Sequence, residues 1–418
     1  MPLVVGTWIC HLSTLPQPFE RIKPVILSAA ICHSEHSEES FGKPIAISRF
    51  IKTQKKWIMK RLILLLAAMA VSAGFAASAD ACTGISFTAQ DGSRVVARTV
   101  EWAATPMQCG YMVCPRGHVF QSYTPTGDNG MKYTSLYGFV GIYTEYEPFV
   151  VEGVNEAGLS AGLFFFPNYG DYAPYNENNN SKTLCDMQFV SWVLSQFSTI
   201  DQVKAALAKI DLVTLSHKIG AVHWRICEPG GRMVVLEVVG GVPHFYENTL
   251  GVLTNAPGFN WHMTNLNNYI NLQPGSAPDQ TLKPGIVLQP LGHGSGMLGL
   301  PGDFTSPSRF VRASFYEATA PDSATGFDAV TQAFHILNNF DIPIGSQHVK
   351  SEIPKGMPSA TQFTAVTDQK AMKLYYRTAW NSNIRCIDLM QIDFSKVKYQ
   401  SHPLDKTQVQ PVEMVHVK

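Results

Sequence analysis

The sequence predicts an α+β fold with largely antiparallel sheets and helices segregated outside them. Segments of alternating apolar and polar residues come in pairs joined by short Gly-, Asp- and Asn-containing turns. Segments with helical apolar spacing also come in pairs, and no stretch alternates strand with helix as a doubly wound parallel sheet would. Hydrophobic content of 45% with 15% charged residues suits a well-buried globular domain. The balance of 32 basic against 32 acidic residues argues against a nucleic-acid binder or a polybasic membrane-surface protein.

In chain order, residues 84–89 predict a strand, Gln90-Asp91-Gly92-Ser93 a turn, and residues 94–100 the returning strand. Strands are expected at 111–114 and 137–143. A second hairpin over 149–154 and 159–166 turns at Asn155-Glu156-Ala157-Gly158. Phe189, Val190, Trp192, Val193 and Phe197 fall at helical spacing within 186–197. A helix over 200–210 follows, capped by Ser198 or Thr199. Strands are predicted at 219–227 and 233–239 around Pro229-Gly230-Gly231, with more β pattern at 244–246 and 251–254. Ser306 followed by Pro307 marks a helix start, with Ser306 as cap, running to about 319. Residues 327–337 read as helix, 362–366 and 373–377 as a hairpin over Asp368-Gln369-Lys370, and 386–392 as the last strand. The Asn-rich segment 170–182 reads as a mobile surface loop.

The organising stretch lies ahead of the first strand. Met59-Lys60-Arg61 is followed by an apolar run over 62–75 and by Ala79-Asp80-Ala81, the order of a secretory signal peptide with a small-x-small cleavage site. The run is about 14 residues, short of the roughly 20 that a membrane-spanning helix needs, so the mature protein is expected to be periplasmic or secreted, with no membrane span. Residues 1–58 show no periodicity and read as a disordered upstream extension, with translation starting at Met59. The expected organisation is thus 1–58 extension, 59–81 signal peptide and 82–418 a single domain.

Cleavage after Ala81 makes Cys82 the first residue, so that a thiol and a free α-amine share one residue. A free thiol has a pKa of roughly 8.5 and an α-amine of roughly 7.7–8.0, so near neutral pH the amine can take or return the thiol's proton. The first hairpin carries Arg98 and Glu101 back beside Cys82, a cation to favour the thiolate and a carboxylate to orient the ammonium. This pattern points to an amide hydrolase acting through a thioester. The alternative is a non-catalytic, lipid-anchored binding protein with Cys82 as lipidation site. Such sites take Leu three residues ahead and a small residue two ahead, where this chain has Ala79 and Asp80.

Two other motifs lack their structural context. Gly158-Leu159-Ser160-Ala161-Gly162 matches a nucleophile elbow, but strand pattern rather than helix follows it. Gly294-Ser295-Gly296-Met297-Leu298-Gly299 matches a dinucleotide-binding loop, but Pro301-Gly302 stands where its helix would open. No metal-ligand spacing appears after Cys82, and neither metal nor cofactor is expected. Of eight cysteines, Cys109 and Cys114 are the candidates for a disulfide, while Cys185, Cys227 and Cys386 read as buried packing groups.

With Cys82-Thr83-Gly84, Arg98 and Glu101 identified, the chain resembles the choloylglycine hydrolase family of N-terminal nucleophile hydrolases, which contains bile salt hydrolases and penicillin V acylases. Further matching segments are Asn155-Glu156-Ala157-Gly158-Leu159, Leu253-Thr254-Asn255-Ala256-Pro257 and the run from Leu300 to Phe310. The resemblance implies a four-layer αββα sandwich of mainly antiparallel sheets, with Cys82 at the mouth of a cleft. It implies Cys82 as nucleophile and base, Arg98 holding the thiolate, and Glu101 in the place of the family's aspartate. It also implies Asn255 as an oxyanion donor and Arg309 completing the charge network. Phe165 stands where many members have Asn or Tyr, so a second oxyanion donor must come from the backbone or elsewhere. Trp102, Phe164 and Phe165 are expected to line an apolar substrate pocket. The expected substrate is a linear amide between an apolar acyl group and a polar amine: penicillin V, an N-acyl-homoserine lactone or a conjugated bile salt. Glu101 and Phe165 favour the first two. The resemblance also suggests a homotetramer.

Overall fold

The computed structural model describes residues 81–215 and 220–417. The expectations for residues 1–58 and for the signal peptide up to Asp80 lie outside the described residues.

Two antiparallel sheets face each other. The first has the order β1 (Cys82–Thr88), β2 (Arg94–Glu101), β10 (Thr361–Asp368), β11 (Lys373–Thr378) and β12 (Asn381–Asp388). The second runs β9 (Val242–Glu247), β8 (Met233–Val239), β7 (Val222–Cys227), β6 (Ser160–Phe165), β5 (Val150–Asn155), β4 (Phe139–Thr144), β3 (Cys109–Cys114) and β13 (Gln400–Pro403). Helices α1 (Phe189–Gln196) and α2 (Ile200–Leu207) precede β7, α3 (Phe259–Asn265) follows β9, and α4 (Ser306–Ala318) and α5 (Gly326–Leu337) precede β10. Helices α4 and α5 pack on the first sheet and α1 on the second, completing an αββα sandwich.

Period-2 patterning builds the layers. Val95 and Ala97 on β2 and Val366 on β10 join Phe310, Ala313, Val330, Phe334 and Leu337 of the helices. Phe363, Ala365, Leu374 and Tyr376 join the core of the second sheet. The β1–β2 register sets Cys82 opposite Val100 and Gly84 opposite Arg98, so the hairpin returns a guanidinium and a carboxylate to the chain segment carrying the thiol.

Several expectations need correction. The β pattern at 251–254 forms only an isolated bridge, Gly84 to Leu253, because Gly251 takes a left-handed φ of 84°. The strand expected at 386–392 begins instead at Asn381, ends at Asp388 and gives way to a 3-10 turn; the last strand is β13. Ser306 is the first residue of α4 rather than its cap, which is Thr305. The Asn-rich loop contains a 3-10 helix, Glu177–Lys182, capped by the Asn176 side chain. Cys109 and Cys114 are free and sit at the two ends of β3. Five residues of strand separate their Cα atoms by about 17 Å, far beyond disulfide reach. Cys386 is exposed rather than buried.

Candidate active site

Cys82 opens β1, and its Cα partner Val100 lies one residue before Glu101. Ala81 and Cys82 are both buried, and Glu101 N–H donates to the Ala81 carbonyl at 2.8 Å. The Cys82 nitrogen, an amide in this uncut chain, donates to Asn255 Oδ1 at 2.7 Å. Asn255 is 3% exposed, and its Nδ2 donates to the Phe165 carbonyl at 2.7 Å. One Nδ2 hydrogen therefore remains.

Arg309, one turn into α4, ties this centre together. Nη1 donates to the Cys82 carbonyl at 2.5 Å and to Thr83 Oγ1 at 2.9 Å. Nη2 donates to Asn255 Oδ1 at 2.8 Å, and Nε to the Phe304 carbonyl at 2.9 Å. A planar fork with fixed donors suits this four-way clamp in a way that an ammonium would not.

Arg98 is 1% exposed. Its Nη1 donates to the carbonyls of Val151, at 2.9 Å, and of Leu163. Its guanidinium carbon lies 4.0 Å from the centre of the Phe164 ring. Burial pushes the Cys82 thiol up; Arg98 pulls it down, Glu101 pushes it up, and Arg309 and the Phe165 backbone N–H pull it down. Burial raises Glu101 to about 8 against the pull of Arg309. Its Oε1 accepts from Thr361 Oγ1 at 3.4 Å, the Thr99 hydroxyl also lowers its pKa, and Oε2 is buried without a well-aligned donor. A buried acceptor without a donor is costly, and an ammonium on Cys82 is the kind of group that would satisfy it.

The five polar candidates Cys82, Arg98, Glu101, Asn255 and Arg309 thus converge. The aromatic ones separate. Trp102 and Phe165 are half-buried, and Trp102 Nε1 donates to Thr105 Oγ1 at 3.0 Å. Phe164 is fully buried between Arg98 and His223. It is a support for the arginine rather than a wall of an open pocket, because β6 alternation turns it inward while Phe165 faces the other way.

Sequence reasoning missed the residues that hold Asn255. Asn255 N–H donates to Ser306 Oγ at 3.0 Å, and Thr254 Oγ1 lies 3.0 Å from the same hydroxyl. His262 Nε2 lies 2.9 Å from the Asn255 carbonyl, and burial lowers the His262 pKa to about 4, so the ring is neutral and Nε2 carries the proton. Only an odd Ser or His beside a matching segment hinted at these. Ser160 of the elbow-like motif is fully buried at the start of β6, where no substrate reaches it. Among the described residues no group of three or more His, Cys, Asp or Glu side chains could hold a metal, and no helix is long and apolar enough to cross a membrane.

The chain is similar to known proteins over most of its length. The family model of the linear amide C–N hydrolases, choloylglycine hydrolase family, matches residues 82–408. A bile salt hydrolase/transferase of Clostridium perfringens is 31% identical over 332 residues, 78% of this chain and 98% of the relative. A penicillin V acylase of Pectobacterium atrosepticum is 25% identical, covering 82% of this chain and 90% of the relative. The crystal structure of an arginine-to-leucine variant of the C. perfringens conjugated bile acid hydrolase superposes with a TM-score of 0.70 at 28% identity, covering 80% of this chain and all of that one. The chain therefore belongs to the choloylglycine hydrolase family and is a hydrolase of linear amide C–N bonds.

Proposed function

We propose that the chain is an exported cysteine amidohydrolase, cut between Ala81 and Cys82, with Cys82 as nucleophile and its freed α-amine as base. The observation that carries this is the clamp on the Cys82 nitrogen, at 2.7 Å from Asn255 Oδ1, on a strand whose partner β2 carries the buried Glu101 carboxylate. Cutting the peptide bond puts an amine where Asn255 Oδ1 receives one of its protons.

The amine takes the thiol proton, and Arg98 and Arg309 stabilise the thiolate. The thiolate adds to the substrate's carbonyl carbon. The remaining Nδ2 hydrogen of Asn255 and the Phe165 backbone N–H serve the oxyanion, so the Phe165 side chain need not donate. The C–N bond breaks as the ammonium returns its proton to the leaving amine, leaving a thioester. Water, deprotonated by the same α-amine, adds to the thioester, the C–S bond breaks, and the acid and the thiol are released. No cofactor enters any step.

Trp102 and Phe165 are the aromatic groups left to meet an apolar acyl chain. The substrate class is a linear amide joining a bulky apolar acyl group to a polar amine, as in conjugated bile salts, penicillin V or N-acyl-homoserine lactones. The lipid-anchor reading is disfavoured by Ala79 and Asp80, which stand where a lipidation site takes Leu and a small residue. Association into homotetramers would cover the exposed apolar side chains Leu282, Ile286, Val287 and Leu288 on the hairpin of Gln280–Lys283 and Ile286–Leu288.

Intact mass and N-terminal sequencing of active protein test the reading together with turnover on the three substrate types. A free Cys82 terminus, and loss of turnover in Cys82→Ala, are expected. Active protein beginning upstream of Cys82, or full activity in Cys82→Ala, would overturn it.

A further inference from the structure

Two fully buried charged residues that the proposed chemistry does not use lie between the sheets. Glu152 is in the middle of β5 and Arg225 in the middle of β7. Arg225 Nη2 donates to Glu152 Oε1 at 2.6 Å, and its Nη1 crosses to the first sheet, donating to the Ala97 carbonyl at 3.2 Å. The other oxygen of Glu152, Oε2, has no hydrogen-bond partner and lies 4.0 Å from Arg98 Nη1. The Phe164 ring centre is 4.0 Å from the Arg98 guanidinium and 5.7 Å from that of Arg225. The backbone makes room for the group: a Cβ on Gly84 would stand 2.9 Å from the Phe164 ring and 3.2 Å from Arg225 Nη1. A Cβ on Gly162 would collide with Glu152 Oε2.

Apolar side chains of similar volume would fill this layer at less cost than three desolvated charges. The arrangement therefore serves something besides stability, and Arg98 links it to the thiol. We infer that Glu152 and Arg225 are positioning residues for the reaction, fixing the Arg98 guanidinium on Phe164 and setting how much of its charge acts on Cys82. The inference rests on the reading of Cys82 as nucleophile.

The charged and polar groups involved are few. The thiol faces Arg98 and Glu101 from β2, Arg309 from α4 and the Phe165 N–H from β6. Glu152 faces Arg225, Arg98 and the Ser160 hydroxyl, and Arg225 faces Glu152, Arg98 and the Cys227 thiol. Glu152 is shared between two arginines. Without Arg225, its whole charge falls on Arg98 and the thiolate loses support. Without the charge on Glu152, two guanidiniums stand unneutralised and the thiolate gains support.

The experiment uses mature protein carrying Glu152→Gln, Arg225→Gln or both. Two readouts are taken: the acid limb of kcat/KM, and the pH dependence of iodoacetamide alkylation at Cys82 followed by peptide mass. Shifts of about one pH unit in opposite directions are expected, down for Glu152→Gln and up for Arg225→Gln. The double variant should return to the parent's limb with kcat/KM lowered roughly 10–100-fold, because Arg98, though still bonded to the Val151 and Leu163 carbonyls, loses the carboxylate that sets its place on Phe164. Shifts of the same sign, or none, in folded single variants overturn the inference. If the singles do not fold, a folded double variant with unchanged kcat/KM overturns it. Failure of the nucleophile reading is seen separately, as turnover persisting in Cys82→Ala, and the alkylation profiles do not depend on turnover.

Discussion

Replacing Asn255 by Asp separates the chemistry of the site from its stability. The side chains are nearly isosteric. Asp keeps an acceptor facing the Cys82 nitrogen, at 2.7 Å, and Arg309 Nη2, at 2.8 Å. It loses the Nδ2 group, and with it the bond to the Phe165 carbonyl at 2.7 Å and the hydrogen assigned to the oxyanion. For the fold, a neutral bond worth about 1 kcal/mol is lost and an oxygen is set against the Phe165 carbonyl. The bond from Arg309 Nη2, already present, becomes an ion pair, which offsets that loss. These nearly cancel, so thermal unfolding should stay within about 5 °C of the parent. For the reaction, one oxyanion donor is worth about 2.7–4 kcal/mol, so kcat should fall roughly 10²–10³-fold. The assay is single-turnover acylation on whichever amide the panel identifies, beside a thermal melt. A folded Asn255→Asp protein with kcat within tenfold of the parent would refute the assignment.

Arg309→Lys keeps the charge but cannot span the Cys82 and Phe304 carbonyls and Asn255 Oδ1 at once. Steady-state kinetics should show kcat lowered roughly 10²-fold with KM little changed. In uncut chain, Glu101 has a folded pKa of about 8, above its unfolded value of roughly 4.3. The stability it contributes is full below the unfolded value and is lost as pH rises through the folded one. Melts of uncut parent should thus fall between pH 5 and pH 8.5, and Glu101→Gln should show a flatter profile; parallel profiles would remove the argument. Phe164→Ala opens a cavity under Arg98 and should cost about 3–5 kcal/mol in denaturant unfolding. Leu282→Lys with Val287→Lys should convert the proposed tetramer to smaller species by light scattering while leaving the fold intact.

The pairing of strands and helices was legible because alternation and helical spacing are local properties. The β1–β2 hairpin is the best case: a four-residue turn places Arg98 and Glu101 beside Cys82 whatever the rest of the chain does. Where the reading failed, distant contacts had overridden local pattern. Residues 251–254 look like a strand but meet only Gly84 across a single bridge. Ser306 looks like a cap, yet its hydroxyl is taken by the Asn255 backbone, 51 residues away. Phe164 and Phe165 are chemically alike in sequence, and only the facing sheet makes one a support and the other an edge. Glu152 and Arg225 did leave a signal, each a charge in the middle of an apolar strand, but sequence cannot say that two such charges meet.

Residue chemistry and short-range order in the sequence determined the paired strands and helices and set Arg98 and Glu101 near Cys82, while the family and its αββα layering came through the resemblance of its motifs. Tertiary structure alone decided which atoms those groups share. Asn255 Oδ1 is held at once by Cys82 and Arg309, and Arg98 is held over the Phe164 ring by two backbone carbonyls from the other sheet. Such contacts join residues up to 227 positions apart. Their geometry is set by the packing of two sheets, which no local pattern encodes.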